Sequence, residues 1–373
     1  MKKTSLAILG TLLAYLLLWP VAIDPVSWQA PQNQGYVGDF EQNNKLAKIE
    51  IIELTDTHGP EGLALLNGEI YTATREGWIL KYNEASGAIT KLVNTQGSPL
   101  GLVFDASGNL LIADAYKGIL SMAPDGTLTT LTNSMDGVPI VYADDLDLTE
   151  DGKIYFSDAS TKFGAESNGG TYAASLLDIA EHGGHGRLLV YDPADQSTKL
   201  VMDGLNFANG VATAADSSFV LINETGTYRV QKYWLTGEKA GTAEVIIDNL
   251  PGFPDNIVRG RDGRFWVGLV SPRSQELDDI SSYPILRKMV QRLPRFMQLA
   301  AESYSHVIAI DGDGNVLTSL KTPTANTTPT LVPWKPTTGC ISAACTPTTW
   351  PELAEKTPEY NAPVYRPATA PLL

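Results

Sequence analysis

A chain of 373 residues with 43% hydrophobic content can bury a large core, as one big domain or two ordinary ones. Its formal net charge of −15 excludes a nucleic-acid role, because phosphate binding needs a basic face. Only 18% of residues are charged while 33 are Gly and 23 are Pro, which suits short strands and frequent turns rather than a helical bundle.

At the N-terminus, Lys2 and Lys3 precede an uncharged apolar run of eighteen residues, Leu6 to Ile23. That is the short end of a bilayer-spanning length, with a cleavable signal peptide as the rival reading. Trp19 and Trp28 flank the boundary and no A-x-A site follows, so residues 1–23 are expected to be a membrane anchor. The lysines put the N-terminus inside and the rest outside the cytoplasm; a secreted chain is the alternative. Residues 24–47 are polar, contain Pro and Gly, and read as a linker.

From residue 48 a pattern recurs. Each cycle has a short apolar strand, an acidic or Asn-Gly turn, a second apolar strand and a third. Starts fall near 62, 101, 144, 209 and 255, a period that a propeller blade requires. The expected class is all-β: a six-bladed β-propeller over 48–320 with an N-terminal transmembrane helix. The strand Lys48–Leu54 would pair with the last blade and seal the ring. Two insertions interrupt the cycles. Residues 160–185 are Gly/Ser-rich and hold His182 and His185. Residues 282–302 read as an amphipathic helix kinked at Pro294, with Ile285, Leu286, Met289, Val290, Leu293, Phe296 and Met297 on its apolar side. Arg287, Lys288, Arg292 and Arg295 line the other side. Packing of the apolar face on the propeller rim is the plain expectation; membrane contact or a lid is the alternative.

Residues 321–373 depart from this order. They are rich in Thr, Pro and Ala with no alternation, and they hold both cysteines, Cys340 and Cys345. Back-translated and read two nucleotides later, the tail permits an Asp-Gly turn followed by strand patterns. The sixth blade is therefore expected to be incomplete in this chain, displaced into another reading frame, with the two cysteines accidental.

Each visible blade opens with polar residues before its inner strand: Glu61, Asp144 with Asp145, Asn209, and Asp255 with Asn256. Inner strands converge on a central channel, so these groups are expected to meet near the axis. Carboxylate and amide oxygens are the ligands that Ca²⁺ takes. Singly, each could equally cap a turn. His58 could reach the channel mouth or sit on an exposed loop. G-x-S-x-G is absent, and no Cys/His cluster offers a zinc site.

The segments GPEGLAL, PLGLVFDASGNLLIADAYKGIL, ADDLDLTEDGKIYFSDAS, FANGVATAADSSFVLINET and PDNIVRGRDGRFWVGL resemble, in order and spacing, the strictosidine synthase-like family of the adipocyte plasma membrane-associated type. More distantly the chain is similar to gluconolactonase and paraoxonase propellers. The resemblance implies that Glu61, Asp144, Asn209, Asp255 and Asn256 are metal ligands, with Asp144 standing where the family usually shows Asn. The channel histidine of paraoxonases has no counterpart, since Leu100 stands there. The glutamate that the plant synthase uses would fall in the altered tail, so synthase activity is not expected. The function expected is Ca²⁺-dependent hydrolysis of a small ester or lactone, with Asp145 or Glu61 handling the water proton. A membrane-tethered binding propeller and an inactive frameshifted product are the alternatives.

Overall fold

The computed structural model describes residues 2–46, 52, 54, 56–298, 301–302 and 304–321. Five four-stranded antiparallel sheets follow one another along the chain, each ordered from its first strand outward. Blade 1 holds β1 (Leu63–Leu66), β2 (Glu69–Ala73), β3 (Trp78–Asn83) and β4 (Ala88–Asn94); blade 2 holds β5 (Pro99–Phe104), β6 (Leu110–Asp114), β7 (Gly118–Met122) and β8 (Leu128–Thr132). A two-stranded hairpin, β9 (Ser134–Met135) and β10 (Val138–Pro139), leads to blade 3: β11 (Ala143–Leu148), β12 (Ile154–Asp158), β13 (Gly186–Asp192) and β14 (Ser197–Leu205). Blade 4 holds β15 (Ala208–Thr213), β16 (Phe219–Glu224), β17 (Arg229–Trp234) and β18 (Ala243–Ile247); blade 5 holds β19 (Gly252–Arg259), β20 (Phe265–Pro272), β21 (His306–Ile310) and β22 (Val316–Lys321). The sealing strand, apart from Ile52 and Leu54, and the tail from 322 onward lie outside the described residues.

The second strands explain why the blades stack. Side chains alternate across a strand, and the middle of β6, β12 and β16 is apolar on both sides because both faces are covered. In β6, Leu110 and Ile112 pack toward blade 1 while Leu111 and Ala113 pack toward blade 3. In β16, Val220 and Ile222 face blade 3 and Leu221 faces blade 5. The core is thus a series of layers between neighbouring blades.

Carboxylates ending the second strands pin the entry to each inner strand. Asp114 accepts the Ser98 N–H at 3.0 Å, Asp158 accepts that of Tyr142 at 3.0 Å, and Glu224 accepts that of Asn206 at 3.0 Å. Asp158 is also paired with Arg187 and Glu224 with Arg229.

Outside the blades, the structure departs from expectation. Helix α1 spans Lys2–Leu18 and stops before Pro20, which has no N–H to extend it. Its 17 residues reach about 25 Å, and among the described residues no helix is long and apolar enough to cross a membrane. The end of the expected span folds back instead: Ile23 is buried against Leu100, Phe163 and Ala174. Residues 24–46 are a docked strap rather than a free linker. Val26 N–H donates to Glu181 O, Arg273 donates to Pro31 O, and Leu46 N–H donates to Lys321 O on the edge of β22. The 160–185 insertion contains a helix, α2 (Thr171–Glu181). A short helix, α3 (Gln275–Asp279), precedes the second insertion, which holds α4 (Pro284–Gln291) and a 3₁₀ turn at Arg295–Met297.

Candidate functional site

The inner strands of blades 2 to 5 share one irregularity. Between Pro99 and Leu102 in β5, three residue steps face two in β6. The same shift recurs between Ala143 and Leu146, Ala208 and Val211, and Pro254 and Ile257. Each is a one-residue bulge, which bends the strand and re-aims its side chains. The bulge pairs are Leu100-Gly101, Asp144-Asp145, Asn209-Gly210 and Asp255-Asn256. Glu61-Gly62 takes the matching place just ahead of β1.

In blades 1 to 4 the second member of the pair meets the neighbouring blade. Gly62 lies against Leu100 O, and Gly210 against Ile257 N and Asp255 O, so close that a Cβ would fall 2.3 Å from backbone atoms in both cases. In blade 3 this position is Asp145, which reaches across: its carboxylate accepts N–H groups from Leu146 and from Val211, both at 2.9 Å. Asp147 repeats the reach two residues on, accepting the Thr213 N–H at 2.8 Å. Asp145, expected as a candidate for proton handling, therefore has both oxygens engaged in a latch between blades.

The first members converge. Asn209 donates its side-chain amide to the Asp255 carboxylate of the next blade at 2.7 Å. Asn223, at the end of β16, donates to the Asp255 backbone carbonyl at 2.5 Å. The amide oxygens of Asn209, Asn223 and Asn256 are buried and have no hydrogen-bond partner. Burial, then repulsion from Asp255 and Asp145, raises the Glu61 pKa well above the carboxylate range. Asp144 is raised likewise, by burial and then by Asp255, Glu61 and Asp145. Burial pushes Asp145 up to about 7 despite its backbone partners. Among the described residues, no lysine or arginine forms an ion pair with Glu61, Asp144 or Asp145. Nor do three acidic, histidine or cysteine side chains stand together closely enough to hold a metal by themselves. What the channel entrance offers is a mixed set of carboxylate and amide oxygens.

His58 does not join this set; it is exposed and paired with Glu76 at 2.8 Å. Leu100 is buried at the blade 2 position where its counterparts are polar. Asn223 escapes the sequence reading because it ends an apolar strand instead of opening one. Its signal is the polar pair Asn223-Glu224, in register with Ala113-Asp114 and Ser157-Asp158.

Fold and site together define a β-propeller whose inner strands gather oxygen groups at the channel entrance. Strictosidine synthase family models match residues 144–238, and 38–82 for the strictosidine synthase-like N-terminal part. The chain is 34% identical over 312 residues to strictosidine synthase-like protein 3 of Arabidopsis thaliana, covering 75% of this chain and 78% of that one. It is 30% identical over 347 residues to the adipocyte plasma membrane-associated protein of Rattus norvegicus, covering 87% and 89%. With strictosidine synthase-like protein 13 of Arabidopsis thaliana it shares 39% identity over 232 residues, which span 56% of that protein's length. The chain belongs to the strictosidine synthase-like family. Among solved structures, a gluconolactonase from Xanthomonas campestris superposes with a TM-score of 0.53 at 16% identity, covering 74% of this chain and 85% of that one. A calcium-binding regucalcin from Agrobacterium tumefaciens does so with 0.52 at 16%, covering 74% and 79%. These two likenesses show the propeller fold.

Proposed function

We propose that this chain is a Ca²⁺-dependent hydrolase of small esters or lactones, held at a membrane by its N-terminal helix. One observation carries the reading: three buried amide oxygens without partners, on Asn209, Asn223 and Asn256, gather about Asp255, whose charge also acts on Glu61 and Asp144. Buried polar atoms are normally satisfied, so an orphaned set invites a ligand. An all-oxygen donor set of mixed charge suits Ca²⁺. Glu61, Asp144, Asn209, Asp255 and Asn256 would hold it, with Asn223 as a further donor. The calcium-binding regucalcin and the gluconolactonase among the structural neighbours support the reading. When bound, such a cation supplies Lewis acidity toward an ester carbonyl.

The chain's own residues divide the remaining work. Glu61, partly exposed where the inner strands begin, is the group to take a proton from water. Asp145 holds the β11–β15 seam and adds negative charge. Leu100 gives the entrance one apolar wall. The adipocyte plasma membrane-associated relatives support attachment through α1, with the propeller outside the cytoplasm as the leading lysines imply.

Aryl esters and lactones, assayed with the purified chain before and after EDTA, test the reaction. Hydrolysis should fall on chelation and return with Ca²⁺. Hydrolysis indifferent to chelation removes the metal from the mechanism, while Ca²⁺ binding without turnover leaves a binding propeller.

A pH dependence follows from the raised carboxyls. A carboxyl whose folded pKa exceeds its unfolded value binds extra protons in the native state. It therefore favours folding at low pH, and that contribution is lost as pH rises through the folded pKa. For Asp145 the loss runs from about pH 4 up to about 7, and Glu61 and Asp144 act in the same direction. Cation binding opposes the loss, because it replaces those protons. The rise in Tm on adding Ca²⁺ should therefore be larger at pH 8 than at pH 5. An equal rise at both would contradict the assigned ligands.

A further inference from the structure

Part of the insertion between β20 and β21 is turned inside out, although Met289, Val290 and Leu293 stay half-buried and Arg295 is exposed. Its apolar side was expected to pack on the rim with its arginines outward. Instead Arg287 and Arg292 are 2% and 8% exposed, while Ile285, Phe296 and Met297 are 66%, 87% and 55% exposed. The buried guanidiniums are spent on carbonyls. Arg287 donates to Ala180 O at 3.1 Å, Glu181 O at 3.2 Å and Ser281 O at 2.8 Å, and also to Val26 O. Arg292 donates to Leu16 O at 2.8 Å and Trp19 O at 2.6 Å. Those two carbonyls lie at the C-terminal end of α1, where backbone acceptors lack intrahelical partners. Tyr15 returns a bond to Arg292 O at 3.0 Å. Helix α1 is thus clamped to α4.

Exposing large side chains forgoes about 25 cal/mol for each Å² that could have been buried. An apolar medium outside the protein removes that cost. The surface of α1 indicates which medium. Leu6, Ile8, Leu9, Leu13 and Leu18 are all exposed, and at about 100° per residue they surround the helix. A protein partner would cover one stripe of such a helix, whereas lipid covers every side. Of the four cations in residues 280–298, Arg287 and Arg292 are buried and Lys288 is paired with Asp24 at 2.7 Å, which leaves Arg295 exposed beside Phe296 and Met297 to meet lipid headgroups. The location matters as well. Ala143 pairs with Asp158, and Gly252 with Pro272, so the insertions that follow β12 and β20 rise from the end of the ring where inner strands begin.

We propose that α4 and the Arg295–Met297 turn form a second membrane contact beside α1, which seats the ring on a lipid surface with its channel entrance toward the bilayer. The site then draws on amphiphilic compounds dissolved in that surface. This orientation builds on the membrane attachment proposed above, and one experiment separates the two. In the full chain carrying Cys340→Ser and Cys345→Ser, an environment-sensitive NBD label is placed through Phe296→Cys, or through Ser107→Cys in the β5–β6 turn at the opposite end of the ring. Each protein is reconstituted with phosphatidylcholine vesicles containing phosphatidylserine, and flotation and emission are read. The label at 296 should shift to the blue, brighten several-fold and be quenched by brominated acyl chains, while that at 107 stays aqueous. Protein that floats with vesicles yet keeps an aqueous spectrum at 296 overturns the second contact alone, and so does a protein partner as the natural occupant of this face. Protein that fails to float overturns both.

Discussion

Gly210→Ala is expected to destabilise the folded ring by about 3 kcal/mol or more. The added Cβ would lie 2.3 Å from Ile257 N, 2.5 Å from Asp255 O and 2.7 Å from Asn256 C. All three are backbone atoms of the neighbouring inner strand, inside its own bulge. No rotamer relieves the contact, so blades 4 and 5 must separate. Overpacking an ordinary core site costs about 1–3 kcal/mol, usually because side chains can shift. Here the obstacle is main chain, and the cost should reach the upper end of that range or exceed it. A stability of about 5–15 kcal/mol leaves little reserve. Thermal unfolding by circular dichroism would measure the change. Gly10→Ala is the control: nothing lies within 4 Å of its Cβ, and alanine favours a helix by up to about 1 kcal/mol. A Gly210→Ala melting point within a few degrees of the parent would show that the blades do not meet through that glycine.

Asp255→Ala should move activity and stability in opposite senses. Asp255 is the first-ranked charged neighbour raising both Glu61 and Asp144, after burial itself. Its removal eases the crowding of like charge and lowers both pKa values. The cation-free protein should then melt no lower than the parent at pH 8, even though Asn209 loses a 2.7 Å hydrogen bond. Ester or lactone hydrolysis should fall at least ~10²-fold, the scale set by removing a group that stabilises developing charge. The rise in Tm with Ca²⁺ should disappear. A variant that melts well below the parent and keeps its Ca²⁺ response would assign Asp255 to structure alone. Asn209→Ala supplies a parallel case, since it removes an orphaned oxygen without changing the charge.

The sequence reading locates the blades better than their outer edges. Its blade starts near 62, 101, 144, 209 and 255 fall within three residues of the first residues of β1, β5, β11, β15 and β19, because apolar runs between turns mark the inner part of each blade. The outermost strands β4, β8, β14 and β18 escape it. In β4, Ala88–Asn94, most side chains are exposed, and a strand paired on one edge over water leaves no apolar period to read. The bulges are half legible. Polar residues at blade starts mark where they lie, but the extra residue shows only in the pairing register. Asn223 stays hidden for a related reason, since a single amide at a strand end usually satisfies the local backbone. The inverted helix shows a further limit. Periodicity divides α4 into an apolar and a basic face correctly, yet it cannot say which face turns inward. That choice is made by the unpaired carbonyls of α1, α2 and the strap, which only a long, charged donor can reach.

The strap also has a mechanical consequence. If α1 is fixed in a membrane, lateral drag on the propeller becomes tension along residues 19–46. That load is shed in stages: first at Arg292 and Arg287, next where Arg273 grips Pro31, and finally where Asn43 and Leu46 bond the edge of β22. The insertions of blades 3 and 5, which hold these grips, therefore bear the pull before any force reaches β1.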